Sequence, residues 1–348
     1  IDEEVSEDLF DHLSRNEKKN LLSSKPRSVT LVKRVLRKIG SYIPKSETLY
    51  ITNFTEGSIF LDIESSWHSK LKREYLLPSL KQANVRLAKL HYDIIPLLFP
   101  ETSHPNTIKV FKDHFLAHLR YSELFICISR RTLLDVEVYC EKQLIPPPNL
   151  TPIELGSSIG TTVTSMGKRI GYGQYILSVS TIEPRKNYLM LLQAFNIISQ
   201  ETDLNLVIVG KLGWLSEEVT NAIENHPENG KRMHYLPNAS DEQLNSLYRN
   251  AWLNVVPSLY EGFGLPVVES LARGCPTICS QGGSLPEIGA DNVILFSEKT
   301  PDELIETVCR LDLNKAEYQR LQKRAQQYVP TSWHMTARQI DDSLLSLS

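Results

Sequence analysis

Residues 257–270 have the sequence Pro257-Ser258-Leu259-Tyr260-Glu261-Gly262-Phe263-Gly264-Leu265-Pro266-Val267-Val268-Glu269-Ser270. An apolar run at 252–256 precedes them and is typical of a buried strand in a parallel sheet. Gly262 and Gly264 lack the side chains that would keep a ligand from the backbone N–H groups at the start of the following helix. The stretch therefore predicts a strand, a glycine turn and a helix, with room for a ligand at the turn.

Two glutamates bracket this turn. Glu261 lies at its lip, and Glu269 follows eight positions later, one to two turns into the predicted helix. A carboxylate at such a place can accept hydrogen bonds from both hydroxyls of a ribose, as an acidic residue does in dinucleotide-binding folds. On spacing alone, a glycine-broken turn with two solvated glutamates fits equally well.

The pattern of two glutamates separated by seven residues, within Pro-Ser-x-Tyr-Glu-Gly-Phe-Gly-Leu-Pro-x-x-Glu-Ser, resembles the donor-site signature of the retaining glycosyltransferases of family 4. Residues 178–187, with the sequence Ser-Val-Ser-Thr-Ile-Glu-Pro-Arg-Lys-Asn, are similar to the diphosphate-binding loop of that family. The resemblance covers roughly residues 47–348 and is closest to mannosyltransferase-like members that build bacterial polysaccharides. It implies the α/β fold called GT-B, in which a cleft separates two Rossmann-like domains with parallel sheets.

The resemblance also implies roles for the donor-site residues. Arg185 and Lys186 would stabilise the departing diphosphate without a metal, and Glu269 would hold the ribose. Glu261 would be a catalytic residue that faces the donor sugar. A planar guanidinium beside a mobile ammonium suits a diphosphate. Basic residues at a helix start are disfavoured by the helix dipole, which favours a bound anion over a purely structural role. The other expected donor-binding residues are Ser180, Lys211, Asn238, Gly262, Phe263, Gly264 and Leu265.

A second group of candidates follows the predicted strand at 85–90. The family carries a histidine or a tyrosine before Asp-Leu-Ile-Pro, and this chain has His91, Tyr92 and Asp93 before Ile94-Ile95-Pro96. All three are candidate catalytic residues. Adjacent side chains on a strand point to opposite faces, so only one of His91 and Tyr92 can face the cleft.

Two further polar positions leave alternatives open. Asp62 and Glu64 follow a predicted strand and could bind a divalent metal, but no other carboxylate cluster supports them. We therefore expect neither a metal nor another cofactor besides the nucleotide-sugar substrate. Ser129 ends the strand predicted at 124–129, where it could cap the helix that follows or contact a ligand.

Composition excludes several classes of protein. The 348 residues carry a net charge of −3 and are 41% hydrophobic, which is typical of a soluble globular chain and gives no reason to expect a nucleic-acid partner. Five scattered cysteines predict reduced thiols in a cytosolic compartment. Residues 25–39 hold six positive charges at near-helical spacing, which fits contact with an anionic membrane surface or an ordinary surface helix.

Alternating strand and helix patterns in the second half predict a parallel sheet with its ligand crevice at the carboxyl ends of the strands. The proline-rich run at 145–152 reads as the approach to an interdomain linker. Because the chain begins with Ile1 and has no glycine-rich loop before Glu47, we expect upstream residues and a larger chain. We predict a charged helical segment at 1–44, an acceptor-side domain at 45–165, a donor domain at 166–330 and a helix at 331–348 that crosses back.

These features predict a retaining glycosyltransferase that moves mannose from GDP-mannose to a saccharide or lipid-linked saccharide acceptor in bacterial surface polysaccharide synthesis. We expect it in the cytoplasm, at the inner face of the membrane. The alternative is a non-catalytic nucleotide- or carbohydrate-binding module of a larger glycosyltransferase. A pyridoxal-dependent phosphorylase would need a dedicated Schiff-base lysine and a longer chain.

Overall fold

The computed structural model describes residues 57–63, 67, 71–157 and 171–347. The predictions for the segment at 1–44, including the basic stretch at 25–39, lie outside these residues. So do those for Glu64 and for the domain boundary between residues 165 and 166. Within them the chain forms two sheets, each made only of parallel strands and each flanked by helices.

The first sheet has the strand order β1-β2-β3-β4. Its strands are β1 (Ile59–Asp62), β2 (Arg86–His91), β3 (Leu124–Cys127) and β4 (Asn149–Pro152). The helices of this domain are α1 (Arg73–Gln82), α2 (Ile95–Leu98), α3 (Pro105–Tyr121) and α4 (Arg130–Gln143). Strand β4 falls in the proline-rich run at 145–152, where a linker was expected. Among the described residues it pairs only with β3, and a strand at such an edge can carry proline because its second side needs no N–H donor.

The second sheet has the strand order β10-β9-β8-β5-β6-β7. Its strands are β5 (Tyr175–Val179), β6 (Asn205–Val209), β7 (Met233–Leu236), β8 (Leu253–Val256), β9 (Thr277–Ser280) and β10 (Val293–Phe296). Its helices are α5 (Tyr188–Glu201), α6 (Glu217–Glu224), α7 (Asp241–Asn250), α8 (Leu265–Leu271), α9 (Leu285–Gly289), α10 (Asp302–Leu313) and α11 (Lys315–Gln327). Strand β5 pairs with both β6 and β8, so the strand order reverses there and a crevice opens at the carboxyl ends.

Burial explains why the strands read as continuous apolar runs rather than as alternating patterns. All four residues of β8 are buried, as are all four of β9 and of β3, because helices cover both faces of each sheet. The main core of the second domain packs α5 and α10 against the sheet, with Phe195, Ile208 and Val308 among its buried side chains.

The last helix, α12 (Trp333–Leu345), packs on the first domain. Gln339 accepts a hydrogen bond from the backbone N–H of Glu154 at 2.8 Å, and the Thr336 hydroxyl donates to the Glu154 carbonyl at 2.8 Å. The helix thereby joins the end of the second domain to the first. Among the described residues, no helix combines the length and apolar character needed to cross a membrane.

Candidate active site

A cleft of about 600 Å³ lies where the carboxyl edges of the two sheets face each other. The first domain contributes Tyr92 and Asp93, which follow β2. The second domain contributes the segment after β5, with Arg185 and Lys186, and the glycine turn after β8. The sequence-predicted residues that line this cleft are Tyr92, Asp93, Ser180, Arg185, Lys186, Glu261, Gly262, Phe263, Gly264 and Leu265.

Glu261 binds both predicted diphosphate cations. Its Oε1 accepts from Lys186 Nζ at 2.6 Å, and its Oε2 accepts from Arg185 Nη1 at 2.9 Å. The hydroxyl of Ser258 donates to Oε1 at 2.7 Å, and Arg185 Nη2 also binds Glu183 at 2.7 Å. These five side chains form a buried ionic cluster in which the two positive charges are matched by two carboxylates.

The ionic cluster controls the protonation of Glu261. Burial alone would raise the pKa of this carboxyl, but the charges of Lys186 and Arg185 and the hydrogen bonds from Lys186 and Ser258 lower its pKa to about 2. Glu261 is therefore ionised throughout the physiological pH range.

Local backbone structure sets the two cations at the end of β5. Pro184–Lys186 forms a single 3-10 turn, and Asn187 follows with φ 58° in the left-handed region. The Asn187 amide donates to the carbonyl of Glu298 at 3.0 Å, which fixes the turn against the segment that follows β10. Helix α5 begins only at Tyr188, so Arg185 and Lys186 precede its first turn.

The two glycines of the turn are required for different contacts. A Cβ atom on Gly262 would lie 2.8 Å from the carbonyl oxygen of Tyr92 and 2.9 Å from Cβ of Asp93. Gly264 has φ 100°, a conformation that side chains disfavour. The missing side chain of Gly262 therefore lets the first domain approach the turn, whereas a Cβ atom on Gly264 would meet Leu285 of the second domain.

His91 is the last residue of β2, and it and Tyr92 lie on opposite sides of the strand, as strand alternation predicts. His91 is 2% exposed and lies in the hydrophobic core, with its ring 5.3 Å from that of Phe115 and 5.2 Å from that of Phe125. Burial lowers the pKa of His91 well below its usual range. His91 does not line the cleft, and this placement removes the basis for giving it a catalytic role.

Tyr92 and Asp93 lie in the cleft. The hydroxyl of Tyr92 donates to the carbonyl of Ile63 at 2.6 Å. Oδ1 of Asp93 accepts from the backbone N–H of Ile95 at 3.0 Å. Burial raises the pKa of Asp93, while this hydrogen bond and the charge of Arg185 act in the opposite direction.

The remaining predicted donor residues differ in position. Ser180 lines the cleft and shares a hydrogen bond of 2.8 Å with the hydroxyl of Tyr188. Glu269 is partly buried in α8 and accepts from the hydroxyl of Tyr248 at 3.0 Å. Lys211 and Asn238 are exposed after β6 and β7, on the same sheet edge but outside the cleft lining.

Sequence reasoning missed a set of contacts that join the domains behind the glycine turn. Ser129 caps α4 by accepting from Thr132 N at 3.0 Å, and its hydroxyl donates to the carbonyl of Gly262 at 2.7 Å. Arg131 Nε donates to the hydroxyl of Tyr260 at 2.7 Å. The capping role of Ser129 was readable from its place before a helix, whereas its partner across the domains was not.

A buried cluster in the first domain contains side chains of the kind that bind metals, but positively charged side chains lie beside them. The ligand atoms of Asp62, His114 and His118 lie within 4.8 Å of one another. Arg73 Nε binds Asp62 at 2.7 Å, and Lys89 Nζ lies 3.1 Å from His114 Nε2. Two positive side chains already stand where a cation would have to bind, so the group does not fit a metal ion. Asp62 thus points into this cluster and does not line the cleft.

The sequence of this chain is similar to a known family and to a known enzyme. Residues 169–328 match the family model for glycosyl transferases group 1. The serotype-specific mannosyltransferase WbdA of Escherichia coli is 28% identical over 270 residues, which are 73% of this chain and 33% of WbdA. This chain therefore spans about a third of the length of that relative.

Two solved structures have the same arrangement of domains. Sucrose-phosphate synthase from Thermosynechococcus elongatus superposes with a TM-score of 0.67 at 20% identity, over 94% of this chain and 81% of that one. Anabaena HepE in complex with UDP superposes with a TM-score of 0.66 at 18% identity, over 91% of this chain and 82% of that one. The predicted fold class is confirmed: the chain has the GT-B fold of glycosyltransferases, and its second domain matches glycosyl transferases group 1.

Proposed function

We propose that this chain binds a nucleotide sugar at the cleft and transfers the sugar, with retention at the anomeric carbon, to a saccharide acceptor. The observation that carries the proposal is the convergence of Arg185, Lys186 and Glu261 at the reversal of strand order, within the segment that matches the family model. A crevice at that place is where parallel α/β sheets bind ligands. HepE, which shares the fold, was solved with UDP.

The second domain would hold the donor and stabilise its leaving group. Arg185 and Lys186 would contact the diphosphate, helped by Lys211 and by the backbone N–H groups of Gly262 and Gly264. Positioned positive charges stabilise the negative charge that develops on the leaving phosphate. Glu261 would then exchange its contacts with these cations for contacts with the donor sugar.

The first domain would supply groups on the acceptor side. As the bond between sugar C1 and the phosphate oxygen breaks, a bond from C1 to the acceptor oxygen forms, and the acceptor hydroxyl loses its proton. Asp93 is our candidate for receiving that proton, because burial raises its pKa and a more basic carboxylate is the better proton acceptor. Tyr92 borders the same side of the cleft.

Mannose from GDP-mannose is the donor that we propose, because WbdA is a mannosyltransferase. The acceptor would be a saccharide or lipid-linked saccharide of a bacterial surface polysaccharide, reached at the inner face of the membrane with the help of residues 25–39. No metal or other cofactor is included in the proposal. Because the chain spans about a third of WbdA, a nucleotide-binding module within a larger glycosyltransferase is the second candidate.

Thermal unfolding with a panel of nucleoside diphosphates and nucleotide sugars tests the donor site. A ligand that binds only the folded state stabilises it by about 2.7 kcal/mol when its free concentration is about 100 times Kd. We expect GDP-type ligands to raise Tm, and the shift to disappear in Lys186→Ala and Glu269→Ala. Lys323→Ala, an exposed lysine on α11, is the matched control and should keep the shift.

Two outcomes separate the candidates. Release of nucleoside diphosphate that depends on an added saccharide acceptor identifies a transferase, whereas tight binding without release identifies a binding module. The absence of any shift with every nucleotide contradicts both.

A further inference from the structure

Glu269 is held by a buried group of side chains that neither the glycine turn nor the ionic cluster contains. The hydroxyl of Tyr248, on α7, donates to Glu269 Oε2 at 3.0 Å. Arg273 lies over the Tyr248 ring at 5.0 Å and donates from Nη1 to the Glu269 carbonyl at 2.6 Å. Its Nε donates to Asn245 Oδ1 at 3.0 Å. Tyr248 and Arg273 thus fix both the carboxylate and the backbone of Glu269.

The two oxygens of the Glu269 carboxylate have different surroundings. Oε2 accepts from Tyr248, whereas Oε1 has no hydrogen-bond donor within the part of the chain that the structure describes. The terminal torsion of a glutamate is broad, so a free carboxylate samples many orientations. Tyr248 is completely buried and its ring is packed, so its hydroxyl holds Oε2 and limits the orientations that the carboxylate can take.

Ionisation of Glu269 depends on the same partners. Burial raises the pKa of this carboxyl, while the hydrogen bond from Tyr248 and the charge of Arg273 act to lower it. An ionised carboxylate has about four lone-pair sites and can accept from Tyr248 and from two ligand hydroxyls at once. A protonated one loses part of that capacity.

We propose that Tyr248 is a positioning residue that orients the Glu269 carboxylate toward the donor ribose, so that the site selects ribonucleoside diphosphates over 2′-deoxyribonucleoside diphosphates. This inference rests on the proposed nucleotide-sugar function. Loss of the Tyr248 hydroxyl would leave Glu269 in place and able to contact the ligand, but with a carboxylate that is no longer oriented. Loss of the hydroxyl would therefore weaken ribose recognition and leave the diphosphate contacts of Arg185 and Lys186 intact.

Calorimetric titration of the whole chain with GDP, 2′-deoxy-GDP, UDP, 2′-deoxy-UDP and pyrophosphate tests the proposal. We expect the wild-type chain to bind the better ribonucleotide roughly tenfold more tightly than its deoxy form, which corresponds to about 1.4 kcal/mol. In Tyr248→Phe this ratio should fall to about threefold or less, with pyrophosphate binding unchanged.

Tyr175→Phe is the matched control. The Tyr175 hydroxyl is also buried and donates to the carbonyl of Leu247, next to Tyr248, at 2.7 Å, but it does not contact Glu269. This variant should keep the full ratio. If Tyr248→Phe does not fold, Tyr248→Met is measured instead, because it also lacks the donor and its flexible side chain adapts to the space.

The outcomes distinguish this inference from the proposed function. Nucleotide binding that keeps its full ribose preference in the Tyr248 variants overturns the positioning role and leaves the donor site standing. A wild-type chain that binds neither nucleotides nor pyrophosphate overturns the donor site and the positioning role together.

Discussion

The Glu261 carboxylate forms salt bridges with the two cations that are expected to bind the donor diphosphate. Its contacts with Lys186 and Arg185 are 2.6 and 2.9 Å long, and all three side chains are largely buried. Two buried positive charges need a negative partner, and the folded chain supplies one from its own glycine turn. A diphosphate must therefore compete with Glu261 for the same hydrogen-bond donors.

Replacing Glu261 with glutamine separates the two roles of this residue. The variant keeps the shape of the side chain but leaves Lys186 without a carboxylate partner and Arg185 with Glu183 alone. Removing one partner of a buried pair costs about 3–5 kcal/mol. We expect Glu261→Gln to be less stable to urea and yet to bind pyrophosphate more tightly than the wild-type chain does. Urea unfolding and calorimetry measure the two effects.

Glu183→Gln is the control for this experiment. Of the two cations, Glu183 binds Arg185 but not Lys186. Its replacement should therefore raise the affinity for pyrophosphate less than Glu261→Gln does. Weaker binding of pyrophosphate by Glu261→Gln would show that the carboxylate does not compete with the ligand.

The amino-acid sequence predicted which residues lie near the cleft better than it predicted their contacts. Strand alternation established that only one of His91 and Tyr92 could face the cleft, but the face depends on which side of β2 the second domain covers. The ionic cluster was unpredictable for a similar reason, because Lys186 and Glu261 are 75 positions apart and meet only when β5 pairs with β8.

At the level of elements, helix α4 begins at the junction of the two domains. Its first N–H groups, those of Arg130 and Arg131, donate to the two oxygens of Glu287 at 2.8 and 3.0 Å. Glu287 belongs to α9 of the second domain. A carboxylate at a helix N-terminus satisfies free donors and interacts favourably with the helix dipole, so this contact stabilises α4 and the junction together.

We expect Glu287→Ala to lower the free energy of unfolding by about 1–2 kcal/mol, as loss of a helix cap does. The first domain should also become more susceptible to limited proteolysis at the start of α4. Glu303→Ala is the control, since Glu303 accepts from the backbone N–H of Ser297 within the second domain. If both variants expose α4 equally, Glu287 does not join the domains.

The elements that the sequence failed to predict are short or contain proline. Strand β4 follows three consecutive prolines, and its four residues carry no alternating pattern that would have revealed a strand. Helix α9 has five residues, too few to show a helical period. The alternation of strands and helices in the second domain was predictable, because its apolar runs and helical patterns are consistent with each other.

On the scale of the whole molecule, the two domains differ in how they bury ionisable groups. The second domain places the buried charges of the ionic cluster at the cleft, whereas the first places a polar cluster inside its core. In that cluster His118 Nε2 lies 2.9 Å from Asp62 Oδ2, and Lys89 lies beside His114. His91 is buried nearby among aromatic rings. The first domain should therefore respond to acid through its histidines.

Burial lowers the pKa of His118 to about 4 and that of His114 to about 2, from 6.5 in an unfolded chain. The unfolded chain thus takes up protons below pH 6.5 that the folded first domain excludes. The contribution of the two neutral histidines to the free energy of unfolding is complete above pH 6.5. It decreases as the pH falls from 6.5 toward the lowered pKa values. Between pH 7 and pH 5 the loss is on the order of 1–2 kcal/mol for each histidine.

Urea unfolding of the whole chain at pH 7 and at pH 5 measures this loss. His114→Gln should reduce it by the share of one histidine, because glutamine can still accept a hydrogen bond from Lys89 but does not titrate. His334→Gln, on the exposed face of α12, should leave the loss unchanged. An equal loss in the wild-type chain and in His114→Gln would mean that acid destabilises the chain through groups other than His114.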